Sequence, residues 1–586
     1  MKKLNPLDAS WLYVESRATP MQVGNLSIFS LPEGAGPDFV QDLVERARAS
    51  TTVVSPWNLK LRGGSLGRAA PKWVEDHDID MEYHFRHSAL PQPGGERELG
   101  RLISRLHSTQ LDFNRPLWEA HLIEGLEGNR VALYSKMHHS LIDGISGARL
   151  MERVYSTDPQ RQDMSAPWSI GQPRGGGRRG GGATTSANPF EAVLAGLRQQ
   201  GSSTAALMRG LGGLVRKGRD RNDPFTAPFQ APKSVLNGRI KGGARRFATQ
   251  QYDLDRLKAL ARAADCTLND IVLYLCASSI RRFLKEGNAL PRKPLTAGIP
   301  VNVRPADDQG TGNAISFIMA NLGTDIADPR QRLDVIKAST ARAKAHLQTL
   351  PKAAMQQYTL VVMAPYILQL LSGAGGRARP VFNITISNVP GPREPLYFNG
   401  ARLEAMYPVS LIAHGGALNI TCLSYAGTLN FGFTGCRDTL PHMQRIAVYT
   451  GEALEELGRL LGVPASRGAM AAASPQPSPQ PSAQPSGQPS GQPGGQSGAA
   501  SNGARAPQAT NGAAGSATKA ASRPATRPAA KSASKTAAKP KSASAPKSKA
   551  KAGTAGNAKA PAKAKAAARK SPAKSGPAAA KPASAK

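Results

Sequence analysis

Residues 136–144 read Lys136-Met137-His138-His139-Ser140-Leu141-Ile142-Asp143-Gly144. The residues before them, Arg130–Met137, alternate: Val131, Leu133, Ser135 and Met137 against Ala132, Tyr134 and Lys136. That period of two predicts a strand. A helix is expected to begin near Ser146 and to run through Leu150, Met151 and Val154. A strand, a polar loop and a helix in succession point to a mixed α/β chain with its chemistry on the loop. Adjacent residues of an extended segment face opposite ways, so the two histidines cannot both serve one metal ion, and one of them faces a cleft. An imidazole titrating near neutrality is suited to take a proton from a hydroxyl. Asp143 is placed to brace the loop, and Gly144 allows a tight turn and close approach of substrate.

Outward from this loop the chain keeps alternating. Strands are expected at Asn25–Ser30 and Trp118–Ile123, and helices at Pro37–Ala49 and Leu99–Thr109. A composition break follows, with the run GGGRRGGG inside Ser165–Ser186, which reads as a loop or linker. From Arg245 the pattern resumes. Leu254–Ala263, Asn269–Leu284 and His442–Leu461 are expected as helices. Thr296–Val303, Ile315–Leu322, Asn383–Ser387, Asn419–Tyr425 and Leu429–Gly435 are expected as strands. No Gly-rich dinucleotide fingerprint is present. The resulting division is an N-terminal domain (1–160), a crossover linker (161–245), a C-terminal domain (246–465) and a tail (466–586).

The chain has 586 residues, enough for three or four domains at about 100–200 residues each. Its net charge is +35. Of the 75 basic residues, 20 lie in the 121-residue stretch 466–586, which has no Asp or Glu. That leaves 55 basic against 40 acidic in the first 465 residues, a net of +15. The high isoelectric point therefore belongs largely to a tail, and does not mark the whole chain as nucleic-acid binding. After Val463 there is no Leu, Ile, Val, Phe, Tyr or Trp, so the tail cannot bury enough apolar surface to fold and is expected to be disordered. Ser474–Gln496 repeats Gln-Pro-Ser as a spacer, and Lys519–Lys586 is a Lys/Ala/Pro/Ser arm. Behind the two lysines of MKKLNPLDAS there is no apolar stretch, so no secretory signal is expected. No apolar run reaches the ~18 residues of a membrane-crossing helix. Cys266, Cys276, Cys422 and Cys436 form no metal-binding pair and read as small hydrophobes of a reduced, cytosolic protein.

The wider set of motifs resembles one family. His138-His139-x-x-x-Asp143-Gly144 is the HHxxxDG signature of acyltransferases that use CoA or carrier-protein donors. It is accompanied by Leu7-Asp8-Ala9-Ser10-Trp11, Arg86-His87-x-x-Leu90-Pro91 and Pro116-Leu117-Trp118. Downstream come Asn237-Gly238-Arg239-Ile240, Arg245-Arg246-Phe247, Leu268-Asn269-Asp270 and Ile299-Pro300-Val301-Asn302-Val303-Arg304-Pro305. Gly312-Asn313-x-Ile315-Ser316 and Ser387-Asn388-Val389-Pro390-Gly391-Pro392 complete the set. In order and spacing these resemble the bacterial wax ester synthase/diacylglycerol acyltransferase family over about residues 4–462. The resemblance implies an α/β fold of two chloramphenicol-acetyltransferase-like domains with an active-site channel between them. It implies acyl transfer from acyl-CoA to diacylglycerol, giving triacylglycerol, or to a long-chain alcohol, giving a wax ester. His139 would be the general base, His138 a supporting neighbour, and Asp143 and Gly144 structural, with Arg304 a partner for Asp143. No acyl-enzyme, metal or cofactor is implied; acyl-CoA is a substrate. A carrier-dependent condensation domain shares HHxxxDG, but the PLW, ND and NVPGP elements argue against it.

Ser387 and Asn388 are candidate oxyanion or channel residues, with a turn set by Pro390-Gly391-Pro392 as the plainer reading. Asn269 and Asp270 read as a helix cap, Trp118 as core. A hydrophobic acceptor implies a cytoplasmic enzyme held peripherally on a membrane or lipid inclusion. Residues 189–217 could lie in such an interface as an amphipathic helix, or pack on the domains. The basic tail could bind DNA phosphates or anionic lipid. If the tail did the main work, the chain would instead be an inactive lipid- or DNA-binding protein, a reading that the intact HHxxxDG disfavours.

Overall fold

The computed structural model describes residues 2–4, 6–69, 71–142, 144–171, 212–216, 220, 223–302, 315–350 and 352–465. Asp143, Arg304, the GGGRRGGG loop, most of 189–217 and the tail lie outside the described residues. Met1–Gln480 forms one compact unit.

Two six-stranded mixed sheets organise that unit. The first runs β12 (Tyr397–Phe398), β13 (Ala401–Val409), β2 (Gln22–Ser30), β7 (Arg130–His138), β6 (Trp118–Leu126), β5 (Phe85–Ala89). Only β5 and β6 pair in parallel. The second runs β10 (Ile315–Asn321), β9 (Thr296–Asn302), β11 (Ile384–Val389), β14 (Leu418–Tyr425), β15 (Thr428–Cys436), β8 (Arg245–Asp253). Here β9, β11 and β14 are parallel. A small sheet joins β1 (Lys2–Lys3), β4 (Lys72–Glu75) and β3 (Leu59–Leu61).

Helices cover the sheets. The first half has α1 (Pro6–Val14), α2 (Phe39–Ala49), α3 (Met81–His84), α4 (Glu96–Ser108) and α5 (Gly144–Glu152). The second has α6 (Leu254–Ala263), α7 (Leu268–Glu286), α8 (Pro329–Gln348), α9 (Lys352–Leu371) and α10 (Arg445–Leu461). Among the described residues no helix is long and apolar enough to cross a membrane. Helix α7 starts on a capping box: Thr267 accepts from the Asp270 N–H, and Asp270 accepts from the Thr267 N–H at 2.9 Å. The cap expected at Asn269 and Asp270 is thus made by Asp270 with Thr267.

Strand β7 is covered on both faces. Val131, Leu133 and Met137 join one apolar cluster with Trp118 and Ile142. Ala132 and Tyr134 join another with Leu102 and Ile103 of α4. The period of two therefore survives in which core each residue enters. Trp57, Trp118 and Trp168 are fully buried, and each indole N–H reaches a carbonyl: Ile170, Trp57 and Ser50 at 3.2, 2.7 and 3.1 Å. Trp118 is core, as expected. All four cysteines are free, three of them buried.

The two sheets share chain. Strand β13 belongs by sequence to the second half but pairs with β2 of the first sheet, from Arg402↔Ser30 to Val409↔Gly24. Its Arg402, Glu404 and Pro408 hide it as a strand in the sequence. Strand β8 was likewise not expected. Of 189–217, the described stretch 212–216 is helical, and Leu214 is buried with Phe225, Phe317, Val362 and Phe382. That leucine packs on the protein.

Candidate active site

The paired histidines sit where β7 runs out. The His138 N–H donates to the Leu117 carbonyl at 3.0 Å, and the His139 N–H to the Met21 carbonyl at 2.8 Å. The Leu141 N–H closes a turn on the His138 carbonyl at 2.9 Å. The backbone of the loop is thus clamped by the PLW segment on one side and the entry to β2 on the other.

The side chains diverge, as the alternation requires. His138 is fully buried. Its Nδ1 accepts from the Ser140 N–H at 3.1 Å and lies 2.6 Å from the Ser140 hydroxyl. An accepting Nδ1 puts the ring proton on Nε2, where it donates to the buried Glu15 carboxylate. The other Glu15 oxygen accepts from Gln110 Nε2 at 2.7 Å. The acceptor lone pair and the ring proton of His138 are therefore both committed inside the protein. His139 is half-exposed, and its ring lies 4.4 Å from that of Trp11 at 36°.

Beneath His138, on the same face of β7, lies a buried charged layer. Lys136 is fully buried, donates to the Leu106 and Thr109 carbonyls at 3.0 and 2.8 Å, and pairs with Glu119 at 3.2 Å. Burial pushes the Glu119 carboxyl up, but His121, Lys136 and Arg86 outweigh it and hold the group at about 2. Lys136 is lowered by burial, against the pull of Glu119. His107 joins the halves: its Nδ1 lies 2.8 Å from the Tyr134 hydroxyl and its Nε2 3.2 Å from the Ser410 carbonyl of the second half. Burial first, then Lys136 and Arg245, depress His107 to about 3. It is neutral at physiological pH, so Nε2–H donates to Ser410 and Nδ1 accepts from Tyr134.

Of the other expected site residues, Gly144 is the first residue of α5. Ser387 and Asn388 lie near the C-terminal end of β11, half-buried, paired with Thr421 and Cys422 of β14. They point to opposite faces. Ile384 and Ile386, on the Asn388 face, enter the core of the second half, whereas Val389, on the Ser387 face, packs against the cluster holding Met137 and Ile142. Ser387 therefore faces the half that carries the histidines. Glu15 and Trp11 were not assigned roles from sequence. Glu15 lies 123 residues from His138, and only the position of α1 brings it there. Among the described residues no three His, Cys, Asp or Glu side chains converge as a metal-ion site.

Two mixed sheets meeting at a loop of paired histidines define the chloramphenicol-acetyltransferase-like class of acyltransferase. Residues 4–272 match the wax ester synthase/diacylglycerol acyltransferase catalytic domain, and 311–458 the C-terminal domain of the same family. The chain belongs to this wax ester synthase/diacylglycerol acyltransferase family. It is 48% identical to a Mycobacterium tuberculosis protein whose name proposes diacylglycerol O-acyltransferase activity, over 78% of this chain and 97% of that one. It is 41% identical to the O-acyltransferase WSD of Acinetobacter baylyi, over 78% and 96%. The solved wax ester synthase/diacylglycerol acyltransferase of Marinobacter aquaeolei superposes with a TM-score of 0.64 at 38% identity, covering 79% of this chain and all of that one.

Proposed function

We propose that this acyltransferase moves a long-chain acyl group from acyl-CoA to the hydroxyl of diacylglycerol, giving triacylglycerol, and to long-chain alcohols, giving wax esters. The observation that carries the mechanism is the asymmetry of the histidine pair: His138 is buried and bonded to Glu15 and Ser140, while His139 is half-exposed on Trp11. His139 is the general base. Its imidazole takes the hydroxyl proton as the oxygen attacks the thioester carbon, and a tetrahedral intermediate forms. The C–S bond then breaks, and the thiolate takes the proton back from His139. No acyl-enzyme intervenes. His138, held by Glu15, fixes the loop that presents His139. Ser387, on the face turned toward the histidine-bearing half, supplies a hydroxyl to the oxyanion, while Asn388 faces the other core. Asp143, Gly144 and Arg304 keep the structural roles that the family resemblance implies.

The enzyme works at the surface of a membrane or lipid inclusion, where its acceptors reside, and the cationic tail adds an electrostatic tether to anionic lipid. The deciding experiment supplies radiolabelled palmitoyl-CoA with diacylglycerol or hexadecanol to wild type and His139→Ala. The variant is expected to lose about 10²–10⁴ in rate. Equal rates refute the mechanism, and the wild-type products identify the acceptor.

A further inference from the structure

The segment after α9, Ser372-Gly373-Ala374-Gly375-Gly376-Arg377-Ala378-Arg379, folds back on itself. The Gly375 N–H donates to the Gln369 carbonyl at 2.8 Å, and the Arg377 N–H to the Ala374 carbonyl at 2.9 Å. It then lies directly on two other stretches of backbone. A Cβ on Gly376, whose φ is +77°, would come 2.6 Å from the Arg239 nitrogen, and one on Gly375 would come 2.8 Å from the His414 carbonyl. The Gly415 N–H in turn reaches the Gly238 carbonyl at 3.2 Å. Three chain segments meet at close backbone approach, with the Asn237 amide and the His414 ring bonding between them, and their long side chains are carried outward.

Those side chains are basic. Arg239 and Arg377 are exposed, with Arg379 and Lys241 beside them in sequence and exposed as well. Arg239 donates to the Gly373 carbonyl at 3.2 Å. No described carboxylate pairs with any of the four. Asp438, the acid nearest Gly242, is engaged by Arg437. His414 is half-buried under this patch. Its Nδ1 accepts from the Ile240 N–H at 3.2 Å, which leaves Nε2–H as a donor. Burial first, and then the charges of Arg239, Arg245 and Arg377, lower its pKa.

The patch is linked to the histidine loop. Arg245, four residues beyond Lys241, donates to the Ala18 carbonyl at 2.9 Å. Met21, three residues further, holds the His139 N–H, and three residues span at most about 11 Å. The basic cluster is thus joined to the histidine loop through Arg245 and the short Ala18–Met21 stretch.

Resting on the acyl-CoA reading above, we propose that Arg239, Arg377 and His414, flanked by Arg379 and Lys241, bind the phosphates at the nucleotide end of the acyl thioester donor. Arginine forks match phosphate oxygens in geometry, and such charge-assisted bonds are the strong ones. A donor with phosphates far from its thioester needs this arrangement, whereas a diacylglycerol or alcohol acceptor has no phosphate to place there.

The test compares palmitoyl-CoA with palmitoyl-pantetheine, which has the same thioester and no phosphate, using the full chain and the variants Arg377→Gln and Arg239→Gln/Arg377→Gln. The KM for palmitoyl-CoA is expected to rise about tenfold in the single and up to about a hundredfold in the double variant. The kcat/KM for palmitoyl-pantetheine is expected to stay within about twofold of wild type. An unchanged KM for palmitoyl-CoA, or an equal fall with both donors, overturns the site. So does a loss of binding to phosphatidylglycerol vesicles with the palmitoyl-CoA KM unchanged, which would assign the patch to lipid headgroups. A wild type that uses both donors equally well overturns the site but leaves the acyl-transfer reading standing. A wild type that uses neither overturns that reading.

Discussion

Replacing Glu15 by glutamine changes one atom in the loop support and gives the sharpest test of how His139 is held. The buried carboxylate accepts from two donors, His138 Nε2–H and Gln110 Nε2–H. A glutamine has one acceptor oxygen, so its NH2 must face one of those donors. The loss of a charge-assisted bond, at about 1.5–3 kcal/mol, adds to the cost of a buried donor left unsatisfied. We expect Glu15→Gln to destabilise the fold by about 2–4 kcal/mol. His138→Gln leaves the carboxylate without its main partner and should cost about 3–5 kcal/mol. Because the two groups act on each other, the double variant should fall short of the sum by about 1–3 kcal/mol. Thermal unfolding of the four proteins gives the cycle. Turnover gives the consequence: a loop shifted by about 1 Å costs on the order of 10²-fold, so kcat in Glu15→Gln should drop at least about tenfold while the KM for acyl-CoA stays near wild type. Additive losses in the cycle, or a Glu15→Gln protein with wild-type kcat, would refute the claim that this pair positions His139.

Four further outcomes are expected. His107, depressed to about 3 in the fold against about 6.5 unfolded, binds protons only on unfolding in that window, so stability is lost as pH falls. Between pH 7 and 5 this amounts to about 2 kcal/mol, and the melting temperature of His107→Gln should depend less on pH over that range. Trp118→Ala empties the centre of the three-tryptophan cluster and should cost about 3–5 kcal/mol, seen as an early melt with little native protein recovered. Burial, helped by Asp270, pushes the Cys266 thiol up to about 11, and burial raises Cys276 and Cys422 as well. Iodoacetamide at neutral pH and Cys266→Ser should therefore leave turnover within about twofold, and inactivation would point to an acyl-cysteine. Deleting 466–586 should leave turnover in detergent unchanged and weaken binding to anionic vesicles; lost turnover would show that the tail is part of the catalyst.

Much of the site was legible because its signal is local. The alternation of 130–137 placed the strand, and two adjacent histidines at its end had to face opposite ways. The helices at 254–263 and 268–286 were readable for the same reason, since their apolar residues recur at helical spacing and Thr267 and Asp270 close a box within four residues. Strand β13 was not readable, because Arg402, Glu404 and Pro408 give it a loop's composition and its stability comes from pairing with a strand nearly 380 residues earlier. The charge pattern was legible too: it separated a folded part of +15 from a tail of +20 by counting.

By itself, then, the sequence determined the motif set, the α/β character and the two-way orientation of the histidines, all of which follow from neighbours a few positions apart. Only the tertiary structure decided which histidine is buried. That choice depends on Glu15, just beyond the end of α1, accepting a hydrogen bond from His138 and on Trp11 of α1 lying against His139. It also decided that the Ser387 face of β11, and not the Asn388 face, is turned toward the cluster holding Met137 and Ile142, and that Arg239, Arg377 and His414 come from three separate segments to one surface. A carboxylate or a cation has no effect beyond a few ångströms that its spacing along the chain can announce; its partner is set by how the sheets bring distant segments into contact.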